Sequence, residues 1–518
     1  MSSMIKAKFR PSIWAWLLGI VLFGAAVLFL GWSFRYQIQL RILWPVSIWM
    51  NQQALAQDVA AWRQSPAAQA APVPAKGPLR RSEVNPRYLV DPEGNAVYLG
   101  GAHTWSTLVD NGGGYPPPVF DYGEFLDFLS MHNHNFFRLW AWESGWGSIE
   151  TRDPDYRFSP LPYARTGPEL ALDGQPRYDL GQWNEAYFER LRERVTLAQA
   201  RGLYVAVMLF DGWSNTKQKG PFVQGNAWPG HPYNVGNNIN GVNGDPNGDN
   251  SGEETHELGD PELLAYQEAY VRKVVDTVNE FDNVLYEISN ESHNGSVAWQ
   301  EHMIRLIKEY EATLPKQHPV GMTSNYPDGN NQDLFASSAD WIAPNGDPEE
   351  PFVADGTKVV VADSDHTCPF CVDSDWAWKA FVNGQYLALM DGYDGAAYGA
   401  GGAKFDYRQP ATVDARRAIG DVRRLAERLD LLAMTPSPER CSTGYCLVQP
   451  VAPGAAFVVY APEAGTFTVD LTGVSGPLQV EWLQPDVGTW LPAAAVQGGA
   501  VREFSVPDGK PAVLYLHE

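Results

Sequence analysis

Residues 284–293, VLYEISNESH, form an apolar run that breaks abruptly into polar side chains. Val284, Leu285 and Ile288 predict a short buried strand, with Ser289–Asn290–Glu291–Ser292–His293 at its C-terminal end. Seven other runs share this design: Val97–Leu99, Phe136–Leu139, Tyr204–Leu209, Val320–Thr323, Trp341–Ala343, Val359–Val361 and Gln385–Met390. Helical stretches separate most of them. Tyr187, Leu191, Val195 and Ala198 recur every three or four residues, and Gly202 stops that helix before the third strand. Asp260–Pro261 has the chemistry of an N-cap followed by proline at the first helical position. Eight strand–helix units between Arg81 and Arg440 predict an α/β fold, a (β/α)8 TIM barrel with some long loops. A doubly wound open sheet would be expected to carry a Gly-rich phosphate turn after its first strand, and none is evident.

In such a barrel the chemistry sits where strands end. Those ends are, in order, Gly100–Trp105; Arg138, Trp140 and Trp142–Glu143; Asp211–Trp213; Asn290–His293; Asn325–Tyr326; Asn345; Asp363–His366; and Asp391. A barrel core is apolar, so packing does not explain this concentration of polar and aromatic side chains. Two acids on roughly opposite strands, walled by Trp and Tyr, suit glycoside cleavage. One carboxyl protonates the leaving oxygen, a second carboxylate attacks or activates water, and aromatic rings stack on sugar faces. The candidate catalytic groups are Glu291 and one of Asp363 and Asp365, which share the parity that faces a barrel axis. The candidate substrate-binding residues are His103, Trp105, Arg138, Trp140, Trp142, Asp211, Trp213, Asn290, His293, Tyr326, His366 and Asp391. No cofactor and no metal are expected. The Gly/Asn-rich loop Gly212–Gly259 is far longer than a usual connection and is read as lining the substrate. Asp245–Asp249 resembles the start of a calcium loop, but His256 stands where its twelfth-position Glu belongs.

The chain resembles a known group. Asn290–Glu291 is similar to the asparagine–acid/base pair of clan A glycoside hydrolases, and Arg138 in FFRLW to their strand-two arginine. The stretches at 85–105, 132–143, 231–241 and 363–394 resemble the apiosidase-like, cellulase-related catalytic domains. Those proteins often carry a small C-terminal β-domain labelled collagen-binding. The resemblance covers 85–518 and implies a two-carboxylate hydrolase of O-glycosidic bonds. One departure stands out: most clan A enzymes place a Glu at the end of strand seven, whereas Lys358–His366 holds only Asp363 and Asp365. The shorter arm leaves retention and inversion both open.

Outward from the barrel, the charge is uneven. The chain carries −23 overall, yet residues 1–81 hold nine Lys/Arg against Asp58 alone, leaving 29 bases and 60 acids beyond. So acidic a body argues against nucleic acid as a partner. Residues 13–32 form an uncharged apolar run of twenty with Trp14, Trp16 and Trp32 near its ends. That is bilayer length, and the run is longer than a cleaved signal's apolar stretch. The expected organisation is a tail and transmembrane signal anchor over 1–33, a stalk over 34–80, a catalytic barrel over 81–440 and a β-sandwich over 441–518. The partners are a carbohydrate and, through the N-terminal helix, the membrane. Single-pass anchoring would leave the barrel outside the cytoplasm. Cys368/Cys371 and Cys441/Cys446 accord with that side as local disulfides, a zinc site being the alternative. Period-two alternation at Phe467, Val469 and Leu471 and at Leu478, Val480 and Trp482 marks the sandwich strands. Its plainest role is a cap on the barrel. The rival to an enzyme is a non-catalytic carbohydrate-binding protein on a degenerate barrel. A metal-dependent amidohydrolase would want an H-x-H near the first strand's end, and His132–Asn–His134 comes instead before the second.

Overall fold

The computed structural model describes residues 44–147, 155–215, 225–327, 329–368, 371–393, 408–451, 453–485 and 488–518. Eight parallel strands form one sheet: β1 (Gly100–His103), β2 (Phe136–Leu139), β3 (Tyr204–Asp211), β4 (Val284–Asn290), β5 (Val320–Thr323), β6 (Trp341–Ala343), β7 (Val359–Asp363) and β8 (Tyr386–Met390). Its order is β1-β8-β7-β6-β5-β4-β3-β2, so β1 and β2 are the two ends of the ladder. Asn135 draws them together. Its N–H donates to the Gly100 carbonyl at 2.9 Å, and its Oδ1 accepts from the Gly100 N–H at 3.0 Å. At the seam a Cβ on Gly101 would lie 1.8 Å from the Phe136 carbonyl oxygen, so only glycine fits. A (β/α)8 barrel is the result.

The first strand lies three residues beyond its expected place. Ala96–Val97 pairs instead with Leu89–Val90, in a small antiparallel sheet that also includes Arg80–Arg81. Strands β3, β4 and β7 each run two residues past their apolar stretch, which puts Asp211, Asn290 and Asp363 on the ladder itself.

Outside the sheet lie α2 (Tyr122–Met131), α3 (Glu185–Gln199), α4 (Pro261–Val278), α5 (Val297–Glu311), α6 (Asn331–Ala336), α7 (Ser374–Val382) and α8 (Pro410–Ala426), preceded in the chain by α1 (Trp44–Arg63). Helix α3 buries the periodic Tyr187, Leu191, Val195 and Ala198. Helix α4 starts where expected, with the Asp260 carboxylate accepting from the N–H groups of Glu262 (2.9 Å) and Leu263 (3.2 Å).

The expected stalk is only partly a stalk. Helix α1 buries Leu55 and Val59 and ties Arg63 to Asp127 of α2 at 2.6 Å. The Ala/Pro-rich stretch then crosses the strand N-terminal side: the Ala75 N–H donates to Gln199 O, and Tyr204 Oη to Lys76 O. Ala75 and Leu79 are buried there. An alanine- and proline-rich sequence reads as a spacer, but its small apolar groups also fill a shallow groove well. Residues 13–32 lie outside the described residues. Among the described residues no helix is long and apolar enough to cross a membrane.

At the C-terminus a six-stranded antiparallel sheet faces the strand pair Thr466–Asp470/Val501–Ser505. The sheet begins at Thr435–Pro436, slightly before the expected boundary. Strand Ala456–Ala461 joins this unit to the barrel. Phe457 and Val459 join the sandwich core, while Val458 and Tyr460 belong to the same core as the barrel. Tyr460 Oη also donates to Asp375 of α7 at 2.8 Å. Both cysteine pairs, Cys368–Cys371 and Cys441–Cys446, are disulfides.

Candidate active site

Arg138 of β2 is the hub of the strand C-terminal ends. Its guanidinium is fully buried and lies 4.7 Å above the Trp140 ring. Nε donates to Glu287 Oε2 at 2.9 Å, and Nη2 donates to Glu287 Oε1. Nη2 also reaches Asn290 Oδ1 at 2.6 Å, while Nη1 reaches Asp363 Oδ2 at 3.2 Å and Asp365 Oδ2 at 3.0 Å. One cation thus serves three carboxylates and an amide from β4 and β7. Planar, five-donor geometry makes arginine the side chain suited to this.

The two aspartates are not equivalent. Asp363 is buried, with Oδ1 taking His103 Nε2 at 3.3 Å and the Asp365 N–H at 2.9 Å. Burial works to raise its carboxyl's pKa, but the charges of His103 and Arg138, with the His103 hydrogen bond, outweigh it and hold the pKa well below the usual range. The Asp365 side chain is also largely covered, 7% exposed against 1% for Asp363, but among the described residues its Oδ1 takes no hydrogen bond. Asp363 is built in; Asp365 is presented.

Glu291 follows Asn290 immediately, so the guanidinium that holds Asp365 also holds the residue beside Glu291. Its φ is +45°, in the left-handed region, which costs a non-glycine residue roughly 1 kcal/mol or more and clusters at functional sites. Its Oε1 lies 3.8 Å from His366 Nδ1. Burial pulls the His366 pKa down, but Glu291, Asp363 and Asp365 outweigh it and raise it above the ordinary value.

A second cluster borders the first. Glu143 Oε1 accepts from the Asp211 N–H (2.6 Å) and His256 Nε2 (3.1 Å), and Oε2 from His231 Nε2 (3.1 Å). His231 Nδ1 accepts the Tyr233 N–H at 3.0 Å, which fixes a neutral tautomer. Burial penalises the Glu143 charge, yet the charge of His256 and the hydrogen bonds of both imidazoles override it and hold the carboxyl at about 2. From His256 Nδ1 the network continues to Ser292 Oγ at 3.0 Å and on to Ser289 Oγ at 2.7 Å. Both imidazoles come from the long Gly/Asn-rich loop, so Glu143 clips that loop to β3. The cavity lined by Trp142, Glu143, His231, Tyr163 and Tyr233 lies behind this clip and not between Glu291 and Asp365.

The remaining candidates divide by burial. Trp213 and Tyr326 are half-buried and meet edge to face at 5.0 Å, as an aromatic wall. His293 caps the turn after Glu291, its Nδ1 accepting the Gly295 N–H. Five candidates lie in the interior. Trp105, Trp140 and Trp142 are buried under the site, where Trp140 stacks on His103 at 5.6 Å, and none presents an open face to a sugar. Asp391 is turned to α8, where Arg416 takes both carboxylate oxygens at 2.8 Å. Asp211 is also buried, with Oδ2 accepting from Ser214 Oγ. The Asp245 turn satisfies itself: its carboxylate accepts from the N–H groups of Asp249 and Asn250, and no metal-ligand cluster occurs among the described residues.

Sequence reading missed Glu287, Glu143 as an anchor, and the pair His231/His256. Glu287 was legible only as a lone acid in an apolar strand, and that anomaly is itself a sign of a buried partner.

A family model described as a domain of unknown function (DUF6298) matches residues 150–333. No curated protein matches the chain. Among solved structures, a glycoside hydrolase family 5 protein from Bacteroides vulgatus ATCC 8482 is similar over 85% of this chain and 92% of that one, at 11% identity and a TM-score of 0.52. A second protein from that organism, described as a candidate glycoside hydrolase, is similar over 85% and 82% at 12% identity and a TM-score of 0.54. At such identities the likeness is one of fold alone.

Proposed function

We propose that this chain is a glycoside hydrolase acting on an extracytoplasmic polysaccharide or glycoconjugate, with Glu291 as general acid and Asp365 as its partner. The observation that carries the reading is the sharing of one guanidinium by Asn290 and Asp365, which brings the residue before Glu291 and the strand-seven carboxylate to one centre. Glu291 would give its proton to the glycosidic oxygen as the C–O bond breaks. The Asp365 carboxylate would either bond to the anomeric carbon or take a proton from the water that does so. Asp363 holds His103 and Arg138 in place, and Trp213 and Tyr326 supply the stacking wall. The apiosidase-like specificity and the collagen-binding label of the C-terminal domain rest on resemblance alone, whereas its shared core supports a cap.

Residues 13–32 would anchor the chain with the barrel outside the cytoplasm, in keeping with two disulfides. A C-terminal alkaline phosphatase fusion should be active; an inactive one would reverse the topology. For the chemistry, purified full chain should release reducing ends from a panel of extracytoplasmic glycans. Release that survives unchanged in Glu291→Gln sinks the assignment.

A further inference from the structure

The strand C-terminal side carries an aliphatic surface as well as carboxylates. The hairpin Tyr163–Leu170/Pro176–Trp183, between β2 and α3, is knitted to residues 234–239 of the β3–α4 loop. The Tyr178 N–H donates to Asn237 O at 2.8 Å, the Ile239 N–H to Tyr178 O at 2.9 Å, and the Leu172 N–H to Asn237 Oδ1 at 3.0 Å. At this junction Leu170, Leu172, Val235 and Ile239 are between 44% and 65% exposed. Two of them press on the facing segment: a Cβ on Gly236, next to Val235, would lie 3.1 Å from Leu172 Cγ, and one on Gly167 2.8 Å from Ile239 Cγ2. Four large aliphatics gathered on a rigid, hydrogen-bonded corner mark an interaction surface.

Helix α1 points to the same side. Asp58 lies 3.6 Å from Arg408, which precedes α8 and so stands at the mouth, whereas Arg63 meets Asp127 midway down α2. The chain then reaches the strand N-terminal side at Ala75–Gly77. Helix α1 therefore descends from mouth to base, and its first turns rise past the rim. Trp49 and Met50 are 60% and 58% exposed there. Residues 33–43 alone separate this helix from the apolar run 13–32, a reach of at most about 40 Å. Charge does not supply the adhesion. The body is acidic, and the patch's arginines are spent on neighbours, Arg165 on Asp173 (2.6 Å) and Arg177 on Glu169 (2.9 Å).

We infer that the mouth of the barrel faces the bilayer that holds the N-terminal segment, with Leu170, Leu172, Val235 and Ile239 seated in its interface. The substrate class then narrows to glycans carried on that membrane, such as lipid-linked glycoconjugates. This rests on the anchoring reading above. Interfacial contact through a few aliphatics is weak alone and becomes effective once a second anchor holds the protein close.

The test uses the full chain with a single added cysteine, Leu172→Cys or Val84→Cys, bearing an environment-sensitive dye, in phosphatidylcholine vesicles. Val84 is exposed on the opposite, strand N-terminal side. The expected result is a blue-shifted Leu172 probe that loses fluorescence to brominated lipid, beside a Val84 probe that stays water-like and unquenched. Probes that behave alike, on protein that floats with the vesicles, overturn the orientation and leave the anchoring intact. Protein that fails to float removes the anchoring reading and this one with it. A blue shift without bromolipid quenching assigns the patch to a second copy of the chain, which also overturns the proposal.

Discussion

The two buried ionic clusters at the mouth are built on opposite plans. Around Arg138, one cation meets three carboxylates, so the acids outnumber it. Around Glu143, one carboxylate meets two imidazoles and a backbone N–H, and both of its oxygens are taken. The first plan leaves a charged group to act on a substrate; the second closes on itself and holds a loop. What separates them is whether the pairing comes out even.

The largest expected effect comes from removing the hub. Arg138→Met strands Glu287 in the interior without a cation and leaves Asp363 only His103, and should cost about 3–5 kcal/mol in denaturant unfolding. A loss under about 1 kcal/mol would mean that the surplus acids do not depend on it, and the contrast would collapse. Next comes the split between the aspartates and Glu291. Glu291→Gln and Asp365→Asn should each lower turnover on the order of 10²-fold with the unfolding midpoint kept, whereas Asp363→Asn should lower the midpoint itself. Equal stability losses for the two Asp variants would erase the distinction between a built-in and a presented carboxylate.

The even cluster gives a pH signature. The Glu143 carboxyl is held at about 2 in the folded chain, against roughly 4.3 for an unperturbed Glu. A depressed folded value adds stability that is fully present above the unfolded pKa and disappears as pH falls from about 4 toward 2. The gap in unfolding free energy between wild type and Glu143→Gln should therefore be widest at neutral pH, up to about 3 kcal/mol, and shrink through that window. A gap that is flat or grows on acidification would contradict the clip. The smallest effect is His256→Asn, which removes one arm. About 1 kcal/mol and faster hydrogen exchange over residues 251–257 are expected, with the barrel strands unchanged.

Several elements were readable because local chemistry and tertiary context agree. The runs at 136–139, 320–323 and 341–343 are strands with the expected ends, and the Asp260–Pro261 start is a cap as expected. The first strand was missed because Gly100 and Gly101 carry no strand propensity. Gly101 is a glycine because Phe136 passes too close for a side chain, a fact that exists only once the barrel closes. The buried tryptophans mislead for a related reason: an aromatic after a strand looks the same in sequence whether it walls the cleft or floors it.

Sequence alone determined the alternating strands and helices, the polar strand ends and the carboxylates available to them, because those depend on residue type and period. It also carried the apolar run at 13–32. Only the tertiary structure decided which acid is consumed and which is offered, since Asp363 and Asp365 share residue type and parity and differ only in their partners. It likewise turned Asp391 away to Arg416 and gathered Glu143, His231 and His256 from segments up to 113 residues apart. Charges act through space with a strength set by distance and burial, and neither is written in the order of the chain.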